Sequence, residues 1–216
     1  MIEWRMRSLW AALFFAFAPA AFAADAAARF DAHGCRACHK IGARGGNSGP
    51  DLTLVGHRRP KAWLEKWLAS PRAYKHDTEM PEQGLSASDR AALAGFLSAQ
   101  RGQAWGASRP WKAAGDGREI YLRAGCVACH GPAGRGGHPN PGAHGGVIPA
   151  LAPLMGTYTK DELISRIRRG VVPEVHDGPP ADVSMPGWDE VLDAAELGAL
   201  ADYLLTLARP DPKDDF

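Results

Sequence analysis

Cys35-Arg-Ala-Cys38-His39 and Cys126-Val-Ala-Cys129-His130 contain every cysteine of this 216-residue chain. Each is a pair of cysteines two residues apart with a histidine directly behind it. The likeness between the two stretches extends well beyond them. Phe30 stands five residues before Cys35, and Tyr121 stands five before Cys126. Arg44-Gly45-Gly46 follows the first stretch at the same distance as Arg135-Gly136-Gly137 follows the second. Pro50-Asp51-Leu52 then matches Pro149-Ala150-Leu151, Met80-Pro81 matches Met185-Pro186, and each half ends on a helical pattern bearing an aromatic residue, Phe96 or Tyr203. Such self-similarity marks a duplicated unit. The halves differ mainly by insertions, the largest a Gly-, Pro- and His-rich loop from Gly131 to Gly146, where no regular element fits. The segment 103–112 has a linker's composition. The chain therefore divides into a first unit at 25–102, a linker at 103–112 and a second unit at 113–210.

Helices are the elements that the pattern supports. Pro60 can open a helix, Trp63, Leu64, Trp67 and Leu68 share one of its faces, and Pro71 stops it. Ser86-x-x-Asp89 resembles a capping box ahead of Leu93, Phe96 and Leu97. Thr159-x-x-Glu162 opens a helix carrying Leu163 and Ile167. Asp193-x-x-Glu196 opens the last, with Leu197, Leu200, Leu204 and Leu207 turned inward. The expected class is all-α. Each unit has a thin core, which a large apolar filler would help.

The motif decides what that filler is. Two cysteine pairs could form a tetrahedral zinc site, but the pairs lie far apart and zinc requires no histidine after each. A thioredoxin-like redox pair should follow a strand, and no strand pattern precedes either pair. The remaining reading is c-type haem attachment. Two thiols one helical turn apart bond to the porphyrin edge, and the adjacent imidazole reaches the iron. Two such motifs imply two covalently bound haems c, held by Cys35, Cys38, Cys126 and Cys129, with His39 and His130 as proximal iron ligands.

With these residues in view, each half resembles a class I cytochrome c domain, and the whole resembles the tandem dihaem cytochromes c of bacteria. The resemblance implies two cytochrome c-like domains in tandem, an N-terminal helix crossing a C-terminal one in each, and aromatic pairs at the crossings, Phe30 with Phe96 and Tyr121 with Tyr203. Gly117 suits a close crossing, and the first half departs from this with Ala26. Pro50 and Pro149 match the family's proline whose carbonyl receives the proximal histidine N–H. The family's usual sixth ligand is methionine, which here falls on Met80 and Met185. Met155, in an apolar run, reads as packing. His76 and His176, upstream of the two methionines, are the runner-up ligands. His57 reads as a solvated side chain. Trp63, Trp67 and Trp188 read as walls of the haem pockets, and Arg58 and Arg59 as either propionate partners or exposed charges.

Residues 1–23 read as an export signal: Arg5 and Arg7 lead, no charge follows until after Ala24, and Ala21-Phe22-Ala23 gives a small-x-small cleavage pattern. The expected location is periplasmic, with no membrane span in the mature chain. The full chain's formal charge of +1 gives no field to attract nucleic acid. That small total hides a split, with 12 Lys and Arg against 8 Asp and Glu from Ala24 to Gln103, and 11 against 15 from Ala104 on. Two six-coordinate haems leave no open iron. The expected function is therefore electron transfer, without substrate turnover, between redox proteins or a membrane respiratory complex. The competing reading is a dihaem enzyme such as a cytochrome c peroxidase or a sulfur-compound dehydrogenase.

Overall fold

The structure, a computed structural model, describes residues 18–106, 109–111, 116–173 and 181–208, with side chains from Ala24 onward. Most of the expected export signal, and His176, lie outside the described residues. The first half runs α1 (Ala18–Ala32), α2 (Cys35–Cys38), a two-residue ribbon of β1 (Lys40–Ile41) and β2 (Arg44–Gly45), α3 (Val55–Arg58), α4 (Lys61–Ala69), α5 (Pro71–Tyr74) and α6 (Ala87–Ser98). The second runs α7 (Gly117–Arg123), α8 (Val127–His130), α9 (Ala152–Met155), α10 (Lys160–Arg169) and α11 (Ala194–Thr206). The protein is all-α. Among the described residues the only paired strands are β1 and β2, joined antiparallel with Lys40 opposite Gly45.

The duplicated sequence builds a duplicated frame. In the first half α1 and α4 pack on α6; in the second α7 and α10 pack on α11. Phe30 and Phe96 meet at the first crossing with ring centroids 5.6 Å apart, and Tyr121 and Tyr203 at the second at 5.5 Å. Tilted pairs of this kind contribute about 0.5–1.5 kcal/mol beyond the area they bury. Gly117 allows the tighter approach: a Cβ there would lie 2.0 Å from the Ala199 carbonyl oxygen. Ala26 is itself buried at its place in α1.

Local signals set the helix starts. Ser86 accepts from the Asp89 N–H at 3.0 Å, and Thr159 with Glu162 and Asp193 with Glu196 form full capping boxes. Such caps satisfy amide groups that the first turn leaves without partners. Two boundaries differ from expectation. Pro60 precedes α4 as its N-cap, and Pro71 both ends that stretch and opens α5 at its first position. Proline suits a first turn because its missing N–H is not needed there.

The two cores meet through the segment after Pro50. Leu54, from the first half, is buried in the second half's core beside Trp188 and Leu192. The stretch with linker composition is also packed: Trp111 is buried, its Nε1 donates to Glu196 Oε1 at 2.5 Å, and Arg109 pairs with Glu196 Oε2 at 3.0 Å. Trp105 stands edge-on to Trp111.

Candidate haem-binding sites

The first motif folds as a single turn. Cys35 and Cys38 are the ends of α2, and His39 leaves it in an extended conformation. The following loop is tied back by Gly46 N–H to the Arg36 carbonyl at 3.0 Å, Gly49 N–H to Cys38 at 2.9 Å and Leu52 N–H to Lys40 at 2.8 Å. This lacing brings the Pro50 carbonyl to 2.9 Å from His39 Nδ1. With the ring N–H donating there, Nε2 keeps its lone pair for a metal, and the acceptor fixes the ring's orientation. The loop backbone presses on the ring, since a Cβ at Gly49 would fall 2.6 Å from it. Met80 is half-buried at the edge of the first core, which Cys35 also borders. Its Sδ accepts a hydrogen bond from Trp67 Nε1 at 3.1 Å. Trp67 stacks on Trp63 at 5.2 Å, and the Arg59 guanidinium lies 4.6 Å from the Trp63 ring centre.

The second motif is a similar turn, with Cys126 capping α8 and His130 at its end. Burial pushes the Cys126 thiol pKa up to about 12 and the His130 imidazole down to about 4. Desolvation in each case disfavours the charged form. The expected hydrogen bond to Pro149 is not formed here, and His130 Nδ1 is buried without a partner. Gly136 lies against the Pro149 carbonyl, and its N–H bonds the His130 carbonyl at 2.8 Å. Tyr121 donates its hydroxyl to the Gly131 carbonyl at 2.6 Å, fixing the chain just after the motif. Met185 borders the second core, as Cys126 does. Two backbone bonds to Val171, both 2.9 Å, hold it in place.

Several residues contribute that sequence reasoning read otherwise or passed over. Asn140, in the glycine-rich loop, is buried and bonds both the N–H and the carbonyl of Val183 at 3.0 Å. It thereby ties that loop to the strand-like approach to Met185. His57 is buried, not solvated, and its ring stands edge-on to Trp188 at 4.8 Å. Arg58 and Arg59 are half-buried rather than exposed. Met155 is a core residue, as expected, and His76 is exposed.

The donor set fits two covalent haems. All four cysteines are free of disulfides. His39 Nε2 is left for iron by the bond at Nδ1. His130 is half-buried with its Nδ1 buried and unused, and Arg59 Nη1 is a buried donor with no acceptor. Thiols, imidazoles and a cationic donor are the chemistry of a vinyl-linked, propionate-bearing iron porphyrin. The arrangement defines a protein of two c-type haem domains in tandem. The comparison of families agrees: the cytochrome c family model matches residues 23–100 and again residues 114–208, and the chain belongs to the cytochrome c family. No curated protein and no solved structure matches the chain. Two cytochrome c domains imply two covalently bound haems c.

Proposed function

We propose that the protein is a periplasmic electron carrier in which His39 and Met80 ligate the first haem iron and His130 and Met185 the second. The observation that carries this reading is positional. Met80 borders the same core as Cys35, and Met185 the same core as Cys126, at matching places in the repeat. When bound, each haem c supplies one-electron exchange between ferric and ferrous iron. The chain's own residues prepare for that exchange. Cys35, Cys38, Cys126 and Cys129 hold the group covalently, which prevents its loss outside the cytoplasm. The Pro50 carbonyl orients His39. The soft thioethers of Met80 and Met185 favour the ferrous state, setting a higher potential than paired histidines would. Saturated coordination leaves no place for a substrate, and no cysteine remains to act as an iron ligand of the sulfur-oxidising kind. The partners on this reading are redox proteins or a membrane respiratory complex. No helix among the described residues is long and apolar enough to cross a membrane.

Pyridine haemochrome analysis of the purified protein is expected to give two haems per chain. The ferric protein should show a near-infrared sulfur-to-iron band for each haem, and Met185→His should remove one of the two and lower one potential. An unchanged spectrum and potential in that variant would show that another residue is the ligand. Sustained consumption of peroxide or thiosulfate, abolished by changing one distal position, would move the protein to the enzyme class.

A further inference from the structure

The segment from Asp51 to Arg58 belongs to the first domain by sequence, yet much of it faces the second. Leu54 enters the second core, His57 meets Trp188, and Arg58 reaches the second haem motif. The Arg58 guanidinium is forked between two main-chain carbonyls: Nη2 donates to Asp51 at 3.1 Å and Nη1 donates to Ala124 at 2.8 Å. Asp51 directly follows Pro50, the acceptor of His39 Nδ1. Ala124 stands two residues before Cys126. One side chain therefore joins the loop that orients the first proximal histidine to the loop that presents the second haem's cysteines.

The receiving loop is shaped for it. Gly125 has φ +88°, a conformation costly for any other residue, and a Cβ there would fall 2.3 Å from Arg58 Nη1. Among the described residues no carboxylate forms an ion pair with Arg58: its hydrogen-bond partners are neutral carbonyls, and the Asp51 carboxylate acts on it only at longer range. Held on the Ala124 carbonyl, the guanidinium charge lies two residues from Cys126. A planar, permanently charged fork bonds two divergent carbonyls through separate nitrogens and still supplies a fixed cation.

We propose that Arg58 is a positioning residue between the two haem sites, clamping the second attachment loop to the first domain and raising the second haem's reduction potential through a charge that makes no ion pair. The inference rests on haem attachment at both motifs, not on which residue is the sixth ligand or on the carrier reading. A nearby cation disfavours the additional positive charge of ferric iron, so the ferrous form gains. The fork acts separately, through geometry.

Charge and fork can be parted by two variants of the full-length holoprotein. Arg58→Met removes both; Arg58→Lys keeps the charge but replaces the planar pair of donor nitrogens by a single one. Spectroelectrochemical titration should show two waves in the wild type. In Arg58→Met one wave should fall clearly more than the other, and in Arg58→Lys both should stay near their wild-type places. Hydrogen exchange of the peptide spanning 117–126 should quicken in Arg58→Met. Two waves unmoved in that variant would overturn the electrostatic role, and wild-type exchange in it would overturn the clamp. Should Arg58→Met fail to mature with two haems, Arg58→Gln, neutral but still a donor to one carbonyl, takes its place with the same expected fall in one wave. The haem count of each variant is read first, so loss of attachment is distinguished from loss of the clamp.

Discussion

Trp67 shows how one side chain can make two copies of a fold unequal. It lies seven residues after Pro60, and Arg166 lies seven after Thr159, so the two occupy the same place in α4 and α10. Leu64 and Leu68 are buried in the one helix, as Leu163 and Ile167 are in the other. The indole donates to Met80 Sδ, whereas Arg166 lies over Tyr158 at 5.6 Å. A hydrogen bond to a thioether withdraws electron density from sulfur and weakens it as a donor to ferric iron. Trp67→Phe keeps the stack on Trp63 and removes the N–H. The first haem's potential is expected to fall by the worth of one such bond, about 1 kcal/mol. For a one-electron couple this corresponds to ~40 mV. The second haem should stay where it was, and redox titration with near-infrared spectra checks both. An unmoved first potential would separate Met80 from the iron. The sequence marked Trp67 as a pocket wall through its spacing from Trp63. Its donor role depends on the path of residues 75–80, which no local pattern encodes.

At the scale of elements, most of what could be read came from chemistry within one turn. Ser86, Thr159 and Asp193 announce helix starts because each cap partner is three residues away. The helix crossings were legible through repeated aromatics, and Gly117 through the absence of a side chain at the closest approach. Gly117→Ala should push α7 from α11, since the obstructing atom is a backbone oxygen that cannot rotate away. Overpacking of this kind costs about 1–3 kcal/mol. The reverse change in the first domain, Ala26→Gly, should cost only about 1 kcal/mol of helix propensity. Calorimetry of the holoprotein is expected to show the second domain's transition lowered in Gly117→Ala with the first nearly unmoved. Equal effects of the two changes would mean that the crossings are not distinguished by distance. The glycine-rich loop, where no regular element was expected, carries two three-residue 3-10 turns, Pro132–Gly134 and His144–Gly146. Its anchor Asn140 carries no local signal, and only the fold brings Val183 to it.

For the molecule as a whole, the repeat made two domains legible, while their docking was not, because residues that bury between domains carry no periodicity. His57 is followed directly by Arg58 and Arg59, and a histidine beside two arginines reads as solvated. Lys66 of the positive half pairs with Asp182 of the negative half at 3.0 Å. The interface should also respond to acid through His57. Burial holds its pKa below the ordinary value, and the cations Arg101 and Arg58 push the same way, while the Gly187 backbone and Glu190 oppose them. A ring released from the interface titrates near 6.5. The native state thus binds fewer protons, and the docking stability is complete above that value and is lost as pH falls through it toward the lowered native pKa. His57→Phe keeps an edge contact with Trp188 and cannot titrate. Between about pH 7 and 5, hydrogen exchange in the segments around Leu54 and Trp188 should quicken in the wild-type holoprotein beyond the intrinsic pH effect. In His57→Phe it should follow the intrinsic effect alone. Identical profiles for the two proteins would show that the ring's protonation does not govern how the domains hold together.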